Sequence, residues 1–245
     1  MRRRGCGWIA GESGVKLYLL HMNEGLPPAV RNDWENLVGA DRLERVRACR
    51  YREDAERSLC GEVLARYSLA QELGRPPSSF RFGRSPIGRP KLVSPELSEY
   101  APHFSISHAG GLVACAVAGT PVGVDVEGKA VKEELAPWFC HEAERNVLAS
   151  DPDPARLRLR LWALKESWVK CLETGVGRHM AALDLSAAVR DAHDHALSFS
   201  RSGCSFESFF VGNAAVAVCL LMERRSVRRT PPDGAQALFR AQTEL

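Results

Sequence analysis

Asp125 and Glu127 are two carboxylates separated by one residue, in the run Val124-Asp125-Val126-Glu127. On a strand, alternation sends both acids to one face and leaves Val124 and Val126 to the core. Two neighbouring acids repel unless a cation lies between them. A hard divalent ion fits, and Mg²⁺ typically takes one or two carboxylates plus phosphate oxygens. Val126 offers no third ligand, so water, a phosphate or a more distant acid must complete the set. Glu166 is such an acid. It lies four residues before Lys170 in Trp162-Ala163-Leu164-Lys165-Glu166-Ser167-Trp168-Val169-Lys170, so a helix would put Trp162, Glu166 and Lys170 on one stripe, with Lys165 one residue round. Of the 33 Lys and Arg residues only six are Lys, and two of those six are Lys165 and Lys170. A lysine is a compact point charge and an arginine a planar fork, which are different tools at a phosphate. The plain alternative is a solvated Glu166–Lys170 pair contributing about 0.3 kcal/mol. A third group, Ser105-Ile106-Ser107-His108 before Ala109-Gly110-Gly111, offers a hydroxyl and an imidazole as phosphate donors beside a glycine turn. Ser107 and His108 are not a nucleophile–base pair, because adjacent strand residues point to opposite faces, and no Gly-x-Ser-x-Gly accompanies them.

These residues need strands and one long helix to hold them. The spacing predicts that helix from about Pro154 to Glu173, with Leu161, Leu164, Trp168 and Leu172 as its apolar stripe. Val15–Leu20 reads as a first strand. Helices are expected over Pro28–Arg47, with Trp34, Leu37, Val38 and Leu43 as core candidates, and over Tyr51–Leu73, ended by Gly74. Phe80–Phe82 is a short strand and Gly83–Pro90 a loop. Three runs, 103–108, 112–118 and 121–127, are separated by Gly110-Gly111 and Gly119-Thr120 at hairpin spacing and read as an antiparallel meander. One or two short helices are expected in Val131–Ser150, and strands over 196–200, 207–211 and 214–221. The order predicts an α+β chain of two similar halves, each a long helix on a small antiparallel sheet, with a cleft between them. The expected divisions are a loose N-terminus over 1–14, an N-terminal half over 15–118, a C-terminal half carrying the metal site over 119–223, and a loose basic tail over 224–245.

The 245 residues are 45% hydrophobic and 26% charged, with net charge +3. That balance is globular and lacks the strongly basic face expected of a nucleic-acid binder. No apolar run approaches membrane-spanning length, and the run after Arg2-Arg3-Arg4 is too short and too late for a signal peptide. The eight Cys are scattered, with no Cys-x-x-Cys, which predicts free thiols in a reducing cytoplasm and neither a disulfide framework nor a zinc site.

Gly88-Arg89-Pro90, Phe104-Ser105-Ile106-Ser107-His108, Gly123-Val124-Asp125-Val126-Glu127 and Trp162-x-x-Lys165-Glu166-Ser167-x-x-Lys170 stand in the order and spacing of the 4'-phosphopantetheinyl transferases. The chain resembles the two-half, surfactin-synthetase-activating type of that superfamily from about Val15 to Leu221, and Tyr51–Leu59 is also similar to that type. The resemblance implies two α+β halves related by a pseudo-twofold, with coenzyme A between them. It implies Mg²⁺-dependent transfer of 4'-phosphopantetheine from coenzyme A to a serine of an apo acyl or peptidyl carrier protein, releasing adenosine 3',5'-bisphosphate. By position, Asp125, Glu127 and Glu166 match the metal ligands, with Mn²⁺ able to replace Mg²⁺. Glu166, Lys170 and Lys165 match catalytic positions, with Lys170 at the pyrophosphate and Lys165 assisting. Ser107, His108 and Arg89, with Arg42, Arg45 and Arg57 near the 3'-phosphate, match coenzyme A-binding positions. A metal-bound carboxylate is a weak base, so Glu166, a water or a metal hydroxide can take the serine proton. The resemblance further implies a cytoplasmic monomer. A metal-dependent phosphohydrolase and a non-catalytic coenzyme A-binding module are the rival readings.

Overall fold

A computed structural model describes residues 7–10, 14–22, 25–93, 101–190, 192 and 195–222. The expected loose tail lies outside these residues. Among the described residues, ten strands and seven α-helices follow one another as β1 (Gly7–Ala10), β2 (Lys16–His21), α1 (Pro28–Leu37), α2 (Ala40–Ala48), α3 (Arg52–Leu73), β3 (Phe82–Arg84), β4 (Pro90–Leu92), β5 (His103–Ala109), β6 (Leu112–Ala118), β7 (Val122–Glu127), α4 (Ala136–Phe139), α5 (Glu142–Ser150), α6 (Pro154–Leu172), α7 (Ser186–Val189), β8 (Leu197–Arg201), β9 (Cys204–Val211) and β10 (Ala214–Leu221).

Two four-stranded antiparallel sheets carry the fold, in the orders β1-β2-β6-β5 and β7-β10-β9-β8. The first repeats as the second: strand, long helix, then a hairpin whose last strand pairs with the first strand. Thus β2–α3–β5–β6 corresponds to β7–α6–β9–β10. This corrects the expected three-stranded meander. β6 does not turn back into β7 at Gly119-Thr120. Instead the Thr120 hydroxyl donates to the Leu221 carbonyl at 2.7 Å, and the Leu221 amide donates to Pro121 at 2.9 Å, so the crossing segment is captured by β10.

Other boundaries also differ from expectation. Gly7–Ala10, placed in the loose N-terminus, pairs with Lys16–Leu19 as an edge strand. The helix expected over Pro28–Arg47 is two helices, because Val38 and Gly39 are extended. The strand expected at Phe80–Phe82 starts at Phe82 and forms a small hairpin with β4. α3 ends as the sequence predicts, with Gly74 in the left-handed region at φ 62°.

Apolar residues sort into three clusters. α3 covers one face of the first sheet through Leu59, Val63 and Leu69 against Phe104, Val113 and Cys115. α6 covers one face of the second through Leu161 and Leu164 against Ala215, Ala217 and Cys219. The remaining faces share a third cluster, with Leu17, Leu19, Leu112 and Ala114 from one sheet and Val122, Val124, Val126, Val216 and Val218 from the other. On α6 the expected stripe holds at Leu161 and Leu164, is half-buried at Trp168 and fails at Leu172, which is exposed because the helix stops at the left-handed Glu173. Asp153 starts the same helix by accepting from the Arg156 amide at 3.1 Å, with Pro154 at the first position.

β7 and α6 touch backbone to backbone. A Cβ on Gly123 would overlap the Ser167 carbonyl oxygen and stand 2.5 Å from the Cys171 amide nitrogen. Gly123→Ala must therefore push the helix off the strand, at a cost of about 3 kcal/mol. Urea unfolding should show that loss as a lower midpoint, whereas Gly119→Ala, with open space around it, should leave the midpoint within experimental error.

Candidate active site

Strand alternation places Asp125 and Glu127 opposite Ala217 and Ala215 of β10, on the face that α6 covers. Because Gly123 lets α6 settle directly on β7, the last two turns of that helix bring Glu166 and Lys170 over this strand. Trp162, on the same stripe, instead packs into the core edge-on to Phe139 at 5.0 Å. The stripe is thus divided between packing and chemistry.

Lys170 is the meeting point of the two sheets. Its Nζ donates to Asp125 Oδ1 at 2.5 Å and to Ser107 Oγ at 3.1 Å, while Ser107 Oγ itself donates to Asp125 Oδ1 at 2.9 Å. Ser107 stands on β5, the edge of the first sheet, and Asp125 on β7, the edge of the second. Glu166 Oε2 lies 3.8 Å from Lys170 Nζ. Burial lifts the Glu166 carboxyl to about 7; the Asp125 charge adds to the lift and Glu127 contributes further, against the pull of Lys170. Glu127 turns its Oε1 back to accept from the Gly128 and Lys129 amides, both at 2.9 Å. Among the described residues the three carboxylates do not converge as a set.

His108 points the other way from Ser107, toward α3, and lines a cavity of about 270 Å³ with Arg42, Ser58, Gly61, Arg84 and Lys170. Desolvation, then the Arg57 charge, hold its imidazole below the usual histidine range. A second cavity of about 260 Å³ adjoins it through Pro90, Ile106 and Lys170, with Ile87, Phe104, Val169 and Val176 on its apolar side. The two cavities share Lys170 and make one cleft, with Glu166 lining the second of them.

The arginines divide. Arg42 enters the cleft wall, with Nε on Glu62 at 2.6 Å and Nη1 on Ser58 at 3.0 Å. Arg84 stands beside it. Its guanidinium is held below the usual range by burial and then by the charges of Arg45 and Arg42. The sequence reading misses Arg84; the only available signal is its place beside Gly83 on a strand too short for periodicity to register. Arg45 lies behind this pair and its buried Nε has no hydrogen-bond partner. Arg57 is paired with Asp54 and reaches the Gly110 carbonyl at the rim, near His108.

Two expected site residues do not present a free charge to the cleft. Lys165 is fully buried on the far side of α6. Its Nζ meets Glu144 Oε2 at 2.9 Å and donates to the Met180 and Leu183 carbonyls at 2.9 and 2.5 Å. One residue round from the Glu166–Lys170 stripe is enough to carry it into the core. Burial pushes the Glu144 carboxyl up and the Lys165 ammonium down, so each depends on the other's charge. Arg89 borders the cleft but spends its guanidinium on backbone. It donates to the Lys170 carbonyl, to Phe104 at 2.8 Å and to Val122 at 2.6 Å, joining α6, β5 and β7.

A model of the 4'-phosphopantetheinyl transferase superfamily matches residues 121–219, and one of the N-terminal part of such transferases matches residues 30–120. The chain is 31% identical over 213 residues to the 4'-phosphopantetheinyl transferase Sfp of Bacillus subtilis (strain 168), covering 84% of this chain and 92% of that protein. It is 31% identical over 180 residues to a second Bacillus subtilis 4'-phosphopantetheinyl transferase, covering 72% and 78%. To the mouse L-aminoadipate-semialdehyde dehydrogenase-phosphopantetheinyl transferase it is 28% identical, over 62% of this chain and 53% of that one. The chain belongs to the 4'-phosphopantetheinyl transferase superfamily. Within it the chain is of the Sfp-like, two-half type, enzymes that move 4'-phosphopantetheine from coenzyme A to carrier proteins.

Lys165→Met strands the buried Glu144 carboxylate and should cost about 3–5 kcal/mol, and adding Glu144→Gln should recover part of it, both read by urea unfolding. Glu166 has a folded value near 7 against an ordinary 4.5. The folded state therefore binds its proton more tightly, and without divalent cations the protein should lose stability as pH rises from about 4.5 to about 7. Glu166→Gln should flatten that part of the stability–pH curve; an unchanged slope would show that Glu166 is not the responsible group.

Proposed function

We propose that this cleft carries out Mg²⁺-dependent transfer of phosphopantetheine to an apo carrier serine, with Asp125, Glu127 and Glu166 holding the ion. The observation that carries the reading is the Lys170–Asp125–Ser107 contact, which sets a cation, a carboxylate and a hydroxyl donor from three elements at one point. The donor set fits a hard cation: three carboxylates, one of them driven to hold a proton by burial and its acidic neighbours. When bound, the ion supplies charge neutralisation at the pyrophosphate.

The protein's own residues do the rest. Lys170 stands at the pyrophosphate as a compact point charge and meets negative charge developing on the leaving phosphate. His108, held neutral, offers a ring N–H to phosphate on the adenosine side, and Arg42 and Arg84 face the same cavity. The apolar cavity beside Val169 and Val176 suits the pantetheine arm. A carboxylate that holds the ion is a weak base, so a water beside Glu166 accepts the serine proton. Arg89 acts as a positioning residue. Lys165 has a structural role, contrary to the catalytic one its motif position implies. The two halves, 15–118 and 119–223, supply complementary walls, and the enzyme works as a cytoplasmic monomer. No helix among the described residues is long and apolar enough to cross a membrane.

Incubation with coenzyme A, Mg²⁺ and an apo carrier protein should add one phosphopantetheine to the carrier, read by intact mass. Loss of coenzyme A without carrier modification would instead indicate hydrolysis, and binding without turnover a non-catalytic module. Asp125→Ala and Glu127→Ala should each abolish transfer with the melting temperature largely retained. Lys170→Arg keeps the charge but loses its compactness and should lower kcat more than it raises KM. Protons and Mg²⁺ compete for Glu166, so Mg²⁺ affinity by calorimetry should rise with pH up to about 7 and level off above. A flat profile would remove Glu166 from the ligand set.

A further inference from the structure

Between α6 and the second sheet, beside the Gly123 contact, three cysteines from three elements meet. Cys171 comes from the last turn of α6, Cys204 from the first residue of β9 and Cys219 from β10. All three are buried, and their Sγ atoms lie within 4.8 Å of one another. The scattered spacing in the chain, which predicts isolated thiols, hides this convergence, because β9 and β10 pair so that Cys204 lies opposite Leu221, two residues beyond Cys219. We propose that Cys171, Cys204 and Cys219 form a binding site for a thiophilic divalent cation of the zinc and cadmium kind, separate from the carboxylate site.

Geometry, charge and access support the assignment. A zinc–thiolate bond of about 2.3 Å sets ligand sulfurs about 3.8–4.0 Å apart, so three sulfurs within 4.8 Å need only small side-chain adjustments to share one ion. Cys171 Sγ also stands 3.1 Å from the Pro121 carbonyl oxygen, which accepts the Leu221 amide as well and so lies at the edge of the trio. Three thiolates with a divalent ion leave one net negative charge, which burial disfavours unless a cation is near. Arg89 provides it. Its guanidinium is held on the carbonyls of Lys170 and Val122, the neighbours of Cys171 and Pro121. Each thiol that ligates releases its proton to solvent. Sulfur ligands favour soft and borderline ions over Mg²⁺, so the two sites do not compete for one metal. Cys204 directly follows the exposed Ser202-Gly203 turn, which gives an ion a short route in.

The test uses the full-length protein, reduced with a phosphine, stripped of metal and supplied with excess Mg²⁺, then titrated with Cd²⁺. The near-ultraviolet thiolate-to-cadmium band should saturate at one equivalent and the melting temperature should rise. Loss of one ligand should weaken binding beyond the roughly 10–100-fold effect of removing a supporting group, so Cys204→Ala and Cys219→Ala should each shift the titration by more than about 100-fold. Cys49→Ser, at a half-buried cysteine outside the trio, should leave it unchanged. Each alanine opens a cavity in the core, so the cadmium-113 resonance of the wild-type protein supplies a measurement that needs no variant. A shift characteristic of three sulfur ligands supports the site. An oxygen-ligand shift, absence of the band at one equivalent, or a band that survives in both alanine variants would show the trio to be packed thiols only.

Discussion

The backbone contact between β7 and α6 at Gly123 is the constraint from which the site follows. A helix normally rests on a sheet through side chains. Here one residue without a Cβ lets the helix carbonyl at Ser167 come down on the strand itself. That approach fixes the height of α6 and thereby the distance from Glu166 and Lys170 to Asp125. It also fixes the rotation of the helix. Glu166 and Lys170 face the cleft, while Lys165 is turned into the core, where Glu144 and two carbonyls hold it. Arg89 fastens the same arrangement from the other side by joining α6, β5 and β7 through three carbonyls.

The electrostatics of the cleft depend on this closeness. Asp125 is nearly inaccessible yet keeps an ammonium and a hydroxyl donor on one oxygen. Glu166 lies 3.8 Å from the lysine Nζ and rises toward neutrality, chiefly through burial and then through the Asp125 charge. Glu127, nearer solvent, is satisfied by its own turn.

Much of this was legible in the sequence. Strand alternation gave Asp125 and Glu127 a common face, and helical spacing gave Glu166 and Lys170 one stripe, so the core of the site followed from period alone. Three matters did not. The role of Lys165 turned on a rotation of about one residue around the helix, which spacing cannot resolve when both neighbours are polar. Arg89 matched a basic motif position, but its partners are carbonyls exposed by sheet edges that only the tertiary fold brings together. The assignment of β7 to the second sheet depended on β10, nearly a hundred residues later, whereas the glycine and threonine beside it suggested a local hairpin. Arg84 and the cysteine trio were likewise set by long-range pairing.

The third apolar cluster has a bearing on how such a chain can be divided. Each sheet has a helix on one face and needs the other sheet on the second, so that neither repeat closes its own core. Separated at the Ala118–Gly119 junction, each piece would expose a broad aliphatic surface made of Val and Leu, and its natural remedy would be association with another copy or with its missing counterpart. Joining the repeats in one polypeptide replaces that encounter, which depends on concentration, with an intramolecular one whose effective concentration is set by a tether of three residues between β6 and β7. It also frees the two repeats to differ: one keeps the acids, the other the imidazole and arginines, and a single asymmetric cleft results where a symmetric assembly would have to build every site alike.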